Sequence, residues 1–129
     1  MRSTYLDCSP KAAIYPASLG AGAKTGDAIV DTQGFERALI VIQSGALTVD
    51  MPFQLMEGDA SNLSDAAAVA DADLNGSEPT LLEATDNEIA VFEYIGTKRY
   101  LRVDTTTGTG LASVSILLFK ARHQPVPSV

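Results

Sequence analysis

A chain of 129 residues with 46% hydrophobic residues is long and apolar enough to form one domain with a buried core, which excludes a disordered chain. Its net charge of −7 argues against a general nucleic-acid-binding protein, because such proteins carry excess positive charge. The sequence has no apolar run of about 18 residues and no apolar stretch at its N-terminus, so we expect neither a membrane span nor a secretory signal.

Charge is distributed unevenly along the chain. Residues 1–26 carry a net +2, residues 27–93 carry −13 and residues 94–129 carry +4. Opposite charges on different segments are consistent with contacts between neighbouring copies, since complementary patches steer and register partners. The alternative is that acidic loops and basic strand ends pair within one molecule or face water.

The first segment, residues 1–27, is rich in Ala, Gly, Ser and Pro. This composition predicts an extended N-terminal arm and not a regular element, because such termini are often ordered only when a partner holds them. Residues 28–31 then predict a short strand and residues 32–34 a turn. We expect residues 28–122 to form a β-sandwich domain and residues 123–129, which contain two prolines, to form a C-terminal tail.

Residues 35–44 form the strongest predicted strand. Its middle, residues 38–42, is apolar at every position, which predicts a central strand covered on both faces. Residues 49–57 alternate in polarity and predict a second strand. Because Pro52 cannot donate a backbone hydrogen bond, we expect this strand at a sheet edge or at a bulge.

The polar, acidic residues 58–79 allow two interpretations. Ser64 can cap a short helix over residues 65–69, or the segment is a long loop with one short strand at residues 67–69. Strand patterns resume at residues 81–82 and 89–95. The last predicted strand, residues 111–120, places its even-numbered apolar residues on one face.

Residues 91–103 predict a β-hairpin with a tight turn at Gly96 and Thr97, where glycine commonly supplies a positive φ. In its first strand Val91 shares a face with Ile89, and Phe92 and Tyr94 take the other face. The alternation indicates an apolar side to bury and a side bearing Tyr, Arg and Lys to expose. Tyr and Arg are frequent in interface hot spots. The alternative is that Arg102 pairs with an acidic neighbour and Tyr100 covers the sheet edge. The candidate interface residues are Tyr94, Lys98, Arg99, Tyr100 and Arg102.

These short strands, without a long amphipathic helix, predict an all-β fold. We expect an antiparallel β-sandwich of jelly-roll type, preceded by the extended arm. An α/β fold would need helical crossovers of about a dozen residues, and no segment provides one.

Two segments partly match ligand-binding motifs. Residues 18–25 resemble a phosphate-binding loop, but Ser18 and Ala23 stand where that motif requires glycine. Residues 71–76 match the beginning of a calcium-binding loop, but Leu82 occupies the position of its bidentate Glu. A solvated turn is the favoured interpretation of residues 71–76, with calcium binding as the alternative.

Cys8 and His123 are the only cysteine and the only histidine. A zinc site would need three or four such ligands. A catalytic Cys–His pair would need rigid support for both side chains. Cys8 lies in the predicted arm and His123 in the predicted tail, and neither segment provides it. We therefore expect no cofactor, no metal and no enzymatic activity.

Three stretches, residues 27–35, 71–76 and 94–103, together resemble small structural proteins encoded in the head modules of tailed bacteriophages, of the capsid cement or decoration type. The last stretch, Tyr-Ile-Gly-Thr-Lys-Arg-Tyr-Leu-Arg-Val, is similar to a Tyr-x-Gly-x-Lys-Arg-Tyr-x-Arg-Val run of such proteins. The resemblance implies a jelly-roll or related β-sandwich that forms a homo-oligomer, such as a trimer, on the outside of the head. Its partners would be the major capsid protein and further copies of itself, with no direct contact to nucleic acid or membrane.

On this resemblance we expect a protein made in the host bacterial cytoplasm and located on the capsid surface of the virion, where it stabilises the head through non-covalent contacts. The alternative within a phage particle is a head–tail connector or a tail structural component. An alternative of another class is a carbohydrate-binding β-sandwich module. That module would need an exposed aromatic platform, and the chain has four Tyr and no Trp.

Overall fold

The computed structural model describes residues 8–20, 22–106 and 109–119. Within these ranges the chain forms ten strands and a one-turn 3-10 helix at Asp71–Asp73. The strands are β1 (Cys8–Leu19), β2 (Val30–Asp31), β3 (Arg37–Val49), β4 (Met51–Gly58), β5 (Ala67–Ala68), β6 (Leu74–Asn75), β7 (Thr80–Leu81), β8 (Ile89–Tyr94), β9 (Tyr100–Thr105) and β10 (Thr109–Phe119).

The strands form two antiparallel sheets. Sheet A has the order β1-β10-β3-β8-β6, and sheet B has the order β2-β9-β4-β5, with β7 also paired to β4. The prediction of an all-β antiparallel sandwich is confirmed. Both sheets direct alternate side chains into one core. The largest of its fully buried residues are Ile14, Ile40, Ile42, Met51, Leu55, Leu101, Ile116 and Leu118.

Strand β3 lies between β10 and β8, as the apolar run of residues 38–42 predicts. Ala38, Ile40 and Ile42 are buried, whereas Leu39 and Val41 on the opposite face are only half-buried. The prediction that both faces are covered is therefore wrong within the described residues. A central strand forms backbone hydrogen bonds with a neighbouring strand on each side. Its side chains are covered only on the face that packs against the other sheet.

Residues 8–19 form strand β1, so the prediction of an arm without a regular element is wrong for them. β1 pairs with β10 along its length, from Cys8 opposite Phe119 to Leu19 opposite Gly110. Small and proline-rich residues suffice here because β1 is the edge of sheet A and buries only a few side chains, among them Ala13 and Ile14. The sandwich thus begins before residue 28. Residues 1–7 and the predicted tail, 123–129, lie outside the described residues.

Strands β8 and β9 exist as predicted, but they do not form a hairpin. β8 pairs with β3 and β6 in sheet A, and β9 pairs with β2 and β4 in sheet B. The connection, residues 95–99, therefore crosses from one sheet to the other. Alternation specifies which residues share a face, but it does not specify which strand lies alongside.

The inward face of β8 is also the reverse of the predicted one. Phe92 and Tyr94 are 2% and 3% exposed, whereas Ile89 and Val91 are 64% and 52% exposed. Both faces of this strand carry large apolar residues, but the row of Ile89 and Val91 also carries the charged Glu93. The core takes the aromatic row because its rings bury more area and no carboxylate is buried with them. In β9 the prediction is confirmed, since Leu101 is buried and its neighbours Tyr100 and Arg102 face outward.

The two interpretations of residues 58–79 are resolved in favour of the loop with a short strand. Strand β5 pairs with Met56 and Glu57 of β4. Asp65 holds the start of this loop, because its carboxylate accepts the N–H groups of Asp59 and Ala60 at 2.9 and 3.2 Å. These hydrogen bonds lower the pKa of Asp65 by stabilising its ionised form.

Candidate interaction surface

The candidate interface residues lie around the connection between β8 and β9, at one end of the sandwich. Two backbone hydrogen bonds attach this connection to its surroundings. Ile95 donates to the carbonyl of Asp73 at 2.8 Å, and Thr32 donates to the carbonyl of Arg99 at 2.9 Å. The Thr32 hydroxyl donates to the same carbonyl at 2.7 Å. The crossing is therefore held by strand ends of both sheets.

Tyr94 does not face outward. Its hydroxyl donates to Oε2 of Glu57 at 2.6 Å and accepts the N–H of Lys98 at 3.0 Å. Burial, reinforced by the bond to Glu57, raises the pKa of Tyr94 well above its usual value. With 3% exposure, the side chain offers no surface to a partner. Its role in this structure is to join β8 of sheet A to β4 of sheet B.

Glycine is required at position 96 because the chain there packs against Tyr94, and not because of a positive φ. Its φ lies outside the left-handed region, in contrast to the prediction. A Cβ atom at residue 96 would lie 2.5 Å from the hydroxyl oxygen and 2.6 Å from Cζ of Tyr94. Glycine therefore lets the chain cross directly over the Tyr94 ring.

Lys98 and Arg99 are exposed, and both pair with carboxylates of the same molecule. Lys98 Nζ lies 2.8 Å from Oδ2 of Asp59, and this contact raises the pKa of Lys98. Arg99 binds both carboxylate oxygens of Asp31, at 2.9 and 2.8 Å. These bonds lower the pKa of Asp31. The guanidinium of Arg99 also lies over the ring of Tyr100, 5.0 Å from its centroid.

Arg102 forms a two-pronged pair with Asp104 on the outer face of β9, at 2.8 and 2.9 Å. Oδ1 of Asp104 also accepts the N–H of Gly26 at 2.9 Å. The structure therefore brings Lys98, Arg99, Tyr100 and Arg102 to the surface and pairs the three cations internally, as the intramolecular alternative predicts. Contact of these residues with another molecule stays a prediction.

A cavity of about 340 Å³ opens between the sheets beside this crossing. Phe35, Arg37, Tyr94, Lys98 and Arg99 line part of it. Among the described residues, every buried side-chain nitrogen or oxygen has a hydrogen-bond partner. The cavity therefore presents no unsatisfied polar group that would indicate a specific ligand.

The stretch of residues 71–76 that partly matches a calcium-binding loop is divided between the 3-10 helix and strand β6. Asp71 and Asp73 lie on the 3-10 helix, while Asn75 in β6 donates to Oε1 of Glu93 at 2.8 Å. In the described parts of the chain, no group of three His, Cys, Asp or Glu side chains is placed to hold a metal ion. Cys8 is half-buried and burial raises the pKa of its thiol. His123 lies outside the described residues.

The tyrosines do not form an exposed platform within the described ranges. Tyr15 is 53% exposed on β1, Tyr94 is buried, and Tyr100 lies partly covered by Arg99. Tyr5 precedes the described residues. This placement weakens the carbohydrate-binding alternative, because sugar rings stack on flat, accessible aromatic faces.

Sequence reasoning missed an apolar surface on the outside of sheet A. Ile89 and Val91 of β8 and Leu111 of β10 are exposed, and Leu39 and Val41 of β3 and Leu117 of β10 are half-buried. The polar residues Gln43, Ser113 and Ser115 lie among them on the same face. We call the outward-facing apolar residues of β3, β8 and β10 the apolar face. The signal was present in the sequence as two apolar rows in β8, of which only one can face the core.

No helix in the described part of the chain is long and apolar enough to cross a membrane. No protein-family model and no curated protein matches the sequence. Among solved structures, the chain is similar to the SPBc2 prophage-derived protein YomS. The match has a TM-score of 0.60 and 15% sequence identity, and it covers 88% of this chain and 94% of that chain. The two proteins share a fold over nearly their whole lengths.

Proposed function

We propose that this chain is a structural protein of a bacteriophage particle, which binds the capsid as a cement or decoration protein. The observation that carries the proposal is the fold shared with a prophage-derived protein over 88% of the chain. The three stretches similar to capsid cement proteins support the same assignment. On this proposal the major capsid protein is the partner, and the virion surface is the location.

The surface chemistry supports a role in non-covalent assembly. Each exposed cation of the β8–β9 connection is held by a carboxylate, so the connection presents ordered polar groups to a partner. Tyr100 and Arg102 lie side by side on the outer face of β9, and ordered Tyr and Arg side chains lose little entropy on binding. We propose that Lys98, Arg99, Tyr100 and Arg102 contribute to the capsid contact.

Quantitative mass spectrometry of purified particles from the phage that encodes this chain tests the proposal. A cement protein is expected at a copy number comparable with that of the major capsid protein. A handful of copies per particle would indicate the connector or tail alternative. Absence from particles would contradict a virion role.

The proposed contact is tested by adding purified variants to particles that lack the protein. We expect Tyr100→Ala and Arg102→Ala to bind these particles more weakly than the parent. Ser77→Ala, in the exposed loop of residues 58–79, is the control and should bind as the parent does. If folded Tyr100→Ala and Arg102→Ala bind like the control, the capsid contact lies elsewhere.

A further inference from the structure

The chain contains three asparagines, which differ in the residue that follows each of them. Asn62 and Asn87 precede residues with large side chains, whereas Asn75 precedes Gly76. Asparagine is one of the thermolabile residues of proteins. Its side-chain amide is lost when the backbone nitrogen of the next residue attacks Cγ. The accessibility and hydrogen bonding of that nitrogen therefore decide which asparagine reacts.

The backbone nitrogens that follow the first and the last asparagine are both hydrogen-bonded. The N–H of Leu63 donates to the carbonyl of Ala60 at 2.9 Å. The N–H of Glu88 donates to the hydroxyl of Ser44 at 3.1 Å. Each bond holds the nitrogen away from the preceding side chain, and the side chain of Leu63 or Glu88 crowds it further. The fold therefore protects both of these asparagines.

The nitrogen of Gly76 is not held in this way. Within the described residues its N–H has no hydrogen bond, because the ladder between β6 and β8 ends at Asn75. Gly76 has a positive φ of 87° and no side chain, so the approach to its nitrogen is open. Asn75 and Gly76 are both exposed, which gives water access to them.

Asn75 lies at the edge of sheet A, where the structure restrains it only weakly. β6 is an edge strand of two residues that pairs with β8. The side-chain amide of Asn75 donates to Oε1 of Glu93 at 2.8 Å, so attack by Gly76 requires this amide to turn away from Glu93. Short edge segments open locally at much less free energy than global unfolding requires. The movement therefore does not need the whole fold to open.

We propose that Asn75 is a site of spontaneous deamidation, and that this modification separates β6 from β8. The nitrogen of Gly76 forms a bond to Cγ of Asn75, and the bond between Cγ and Nδ2 breaks. Nδ2 leaves as ammonia and takes the proton that the Gly76 nitrogen loses. Water then opens the cyclic imide at one of its carbonyl carbons, which leaves aspartate or isoaspartate. The reaction needs only this chain and water, so it does not depend on the proposed function.

Both products disturb the pairing of β6. Aspartate places a carboxylate where the Asn75 amide now contacts Glu93, its direct partner in the ladder. Like charges directly opposite each other on neighbouring strands are destabilising. Isoaspartate instead adds a carbon atom to the backbone, so the ladder cannot keep its register. The N–H of Ile95 donates to the carbonyl of Asp73 at 2.8 Å beside this ladder, and its exposure to solvent therefore reports the separation.

Peptide mass spectrometry after incubation of the full chain in mildly alkaline buffer tests the modification. Conversion of the amide to a carboxyl group raises the mass of the peptide that contains it. We expect the converted fraction of Asn75 to rise several-fold faster than that of Asn62 or Asn87, which are internal controls in the same digest. A sample digested without incubation measures conversion during handling. Conversion of Asn75 no faster than that of the other two asparagines would overturn the proposal.

Hydrogen exchange of Asn75→Asp, which reproduces one of the two products, tests the separation of β6. We expect the amide of Ile95 to exchange faster in this variant than in the parent. The amide of Ser44, which donates to the carbonyl of Glu88 on the β3 side of the sheet, should exchange as it does in the parent. Thermal unfolding establishes that the variant is folded. Unchanged exchange of the Ile95 amide in the folded variant would overturn the proposed separation.

Discussion

The hydroxyl of Tyr94 donates a 2.6 Å hydrogen bond to Glu57 and so links the two sheets at one end of the sandwich. The same hydroxyl accepts the N–H of Lys98, at the point where the chain crosses between the sheets. One phenol oxygen thereby orders both the strand that carries it and the connection that follows.

Removal of this hydroxyl is expected to destabilise the fold. Tyr94→Phe keeps the ring in the core but leaves the Glu57 carboxylate and the Lys98 N–H without their shared partner. Unsatisfied polar groups of this kind cost about 1–3 kcal/mol. Urea unfolding of the variant and the parent measures the difference. Tyr100→Phe is the control, because the described residues give the Tyr100 hydroxyl no hydrogen bond, and an equal loss in both variants would contradict the prediction.

Substitution of Gly96 should reduce stability by a comparable amount, because a side chain there would clash with Tyr94. Gly96→Ala places a methyl group within 2.6 Å of the Tyr94 ring and hydroxyl, so the ring or the connection must move. Insertion of a methyl group into such a packed site costs about 1–3 kcal/mol. Gly20→Ala is the control, since a Cβ atom there meets nothing within 4 Å. Chemical unfolding that gives equal stability for the two variants would show that Tyr94 adapts at no cost.

The Arg99–Asp31 pair predicts a pH-dependent contribution to stability. Its hydrogen bonds place the pKa of Asp31 below its usual value. The stabilisation is therefore present above the unfolded-state pKa of about 3.9 and is lost as the pH falls through the lowered folded-state pKa. We expect Arg99→Gln to be less stable than the parent at about pH 6. The difference in unfolding free energy between the two should decrease as the pH falls and Asp31 becomes protonated.

The measurement for Arg99→Gln is urea unfolding over a pH series at low salt, because salt screens exposed pairs. Arg37→Gln serves as the comparison, since Arg37 approaches Glu93 only to 3.9 Å. A stability difference for Arg99→Gln that does not change between about pH 6 and pH 2 would exclude titration of Asp31 as its source.

Glu78 is expected to make the stability of the fold depend on pH with the opposite sign to the Arg99–Asp31 pair. Its carboxylate accepts the N–H of Leu55 at 2.7 Å on the side of β4 between β7 and β5. Burial nevertheless raises the pKa of Glu78. The folded state then holds the proton more tightly than the unfolded state, so stability decreases as the pH rises through the raised pKa. Glu78→Gln retains an acceptor for Leu55 and removes this decrease.

Unfolding of Glu78→Gln and the parent between about pH 4 and pH 7 tests this prediction. We expect the variant to gain stability relative to the parent as the pH rises. Glu83→Gln, at an exposed position, should follow the parent instead. Parallel profiles for the parent and Glu78→Gln would show that Glu78 carries no net penalty for ionisation.

Parts of the fold and of the candidate surface could be predicted because they depend on local alternation. In β9 the alternate residues Leu101 and Val103 are apolar and their neighbours are not, so the inward face was unambiguous. The outward placement of Tyr100 and Arg102 followed directly. In β8 both rows carry large apolar residues, and the prediction chose the row of Ile89 and Val91, which the structure leaves exposed together with Glu93.

The sequence by itself determined an all-β chain, the positions of its principal strands and the side-chain alternation along β9 and β10, because a two-residue period is a property of the local backbone. Only the tertiary structure decided that β8 and β9 belong to different sheets and that β1 completes sheet A. It also decided that Tyr94 points inward to Glu57. These features depend on which distant segments meet, and strand pairing of this kind is set by the packing of the whole core rather than by the residues of one strand.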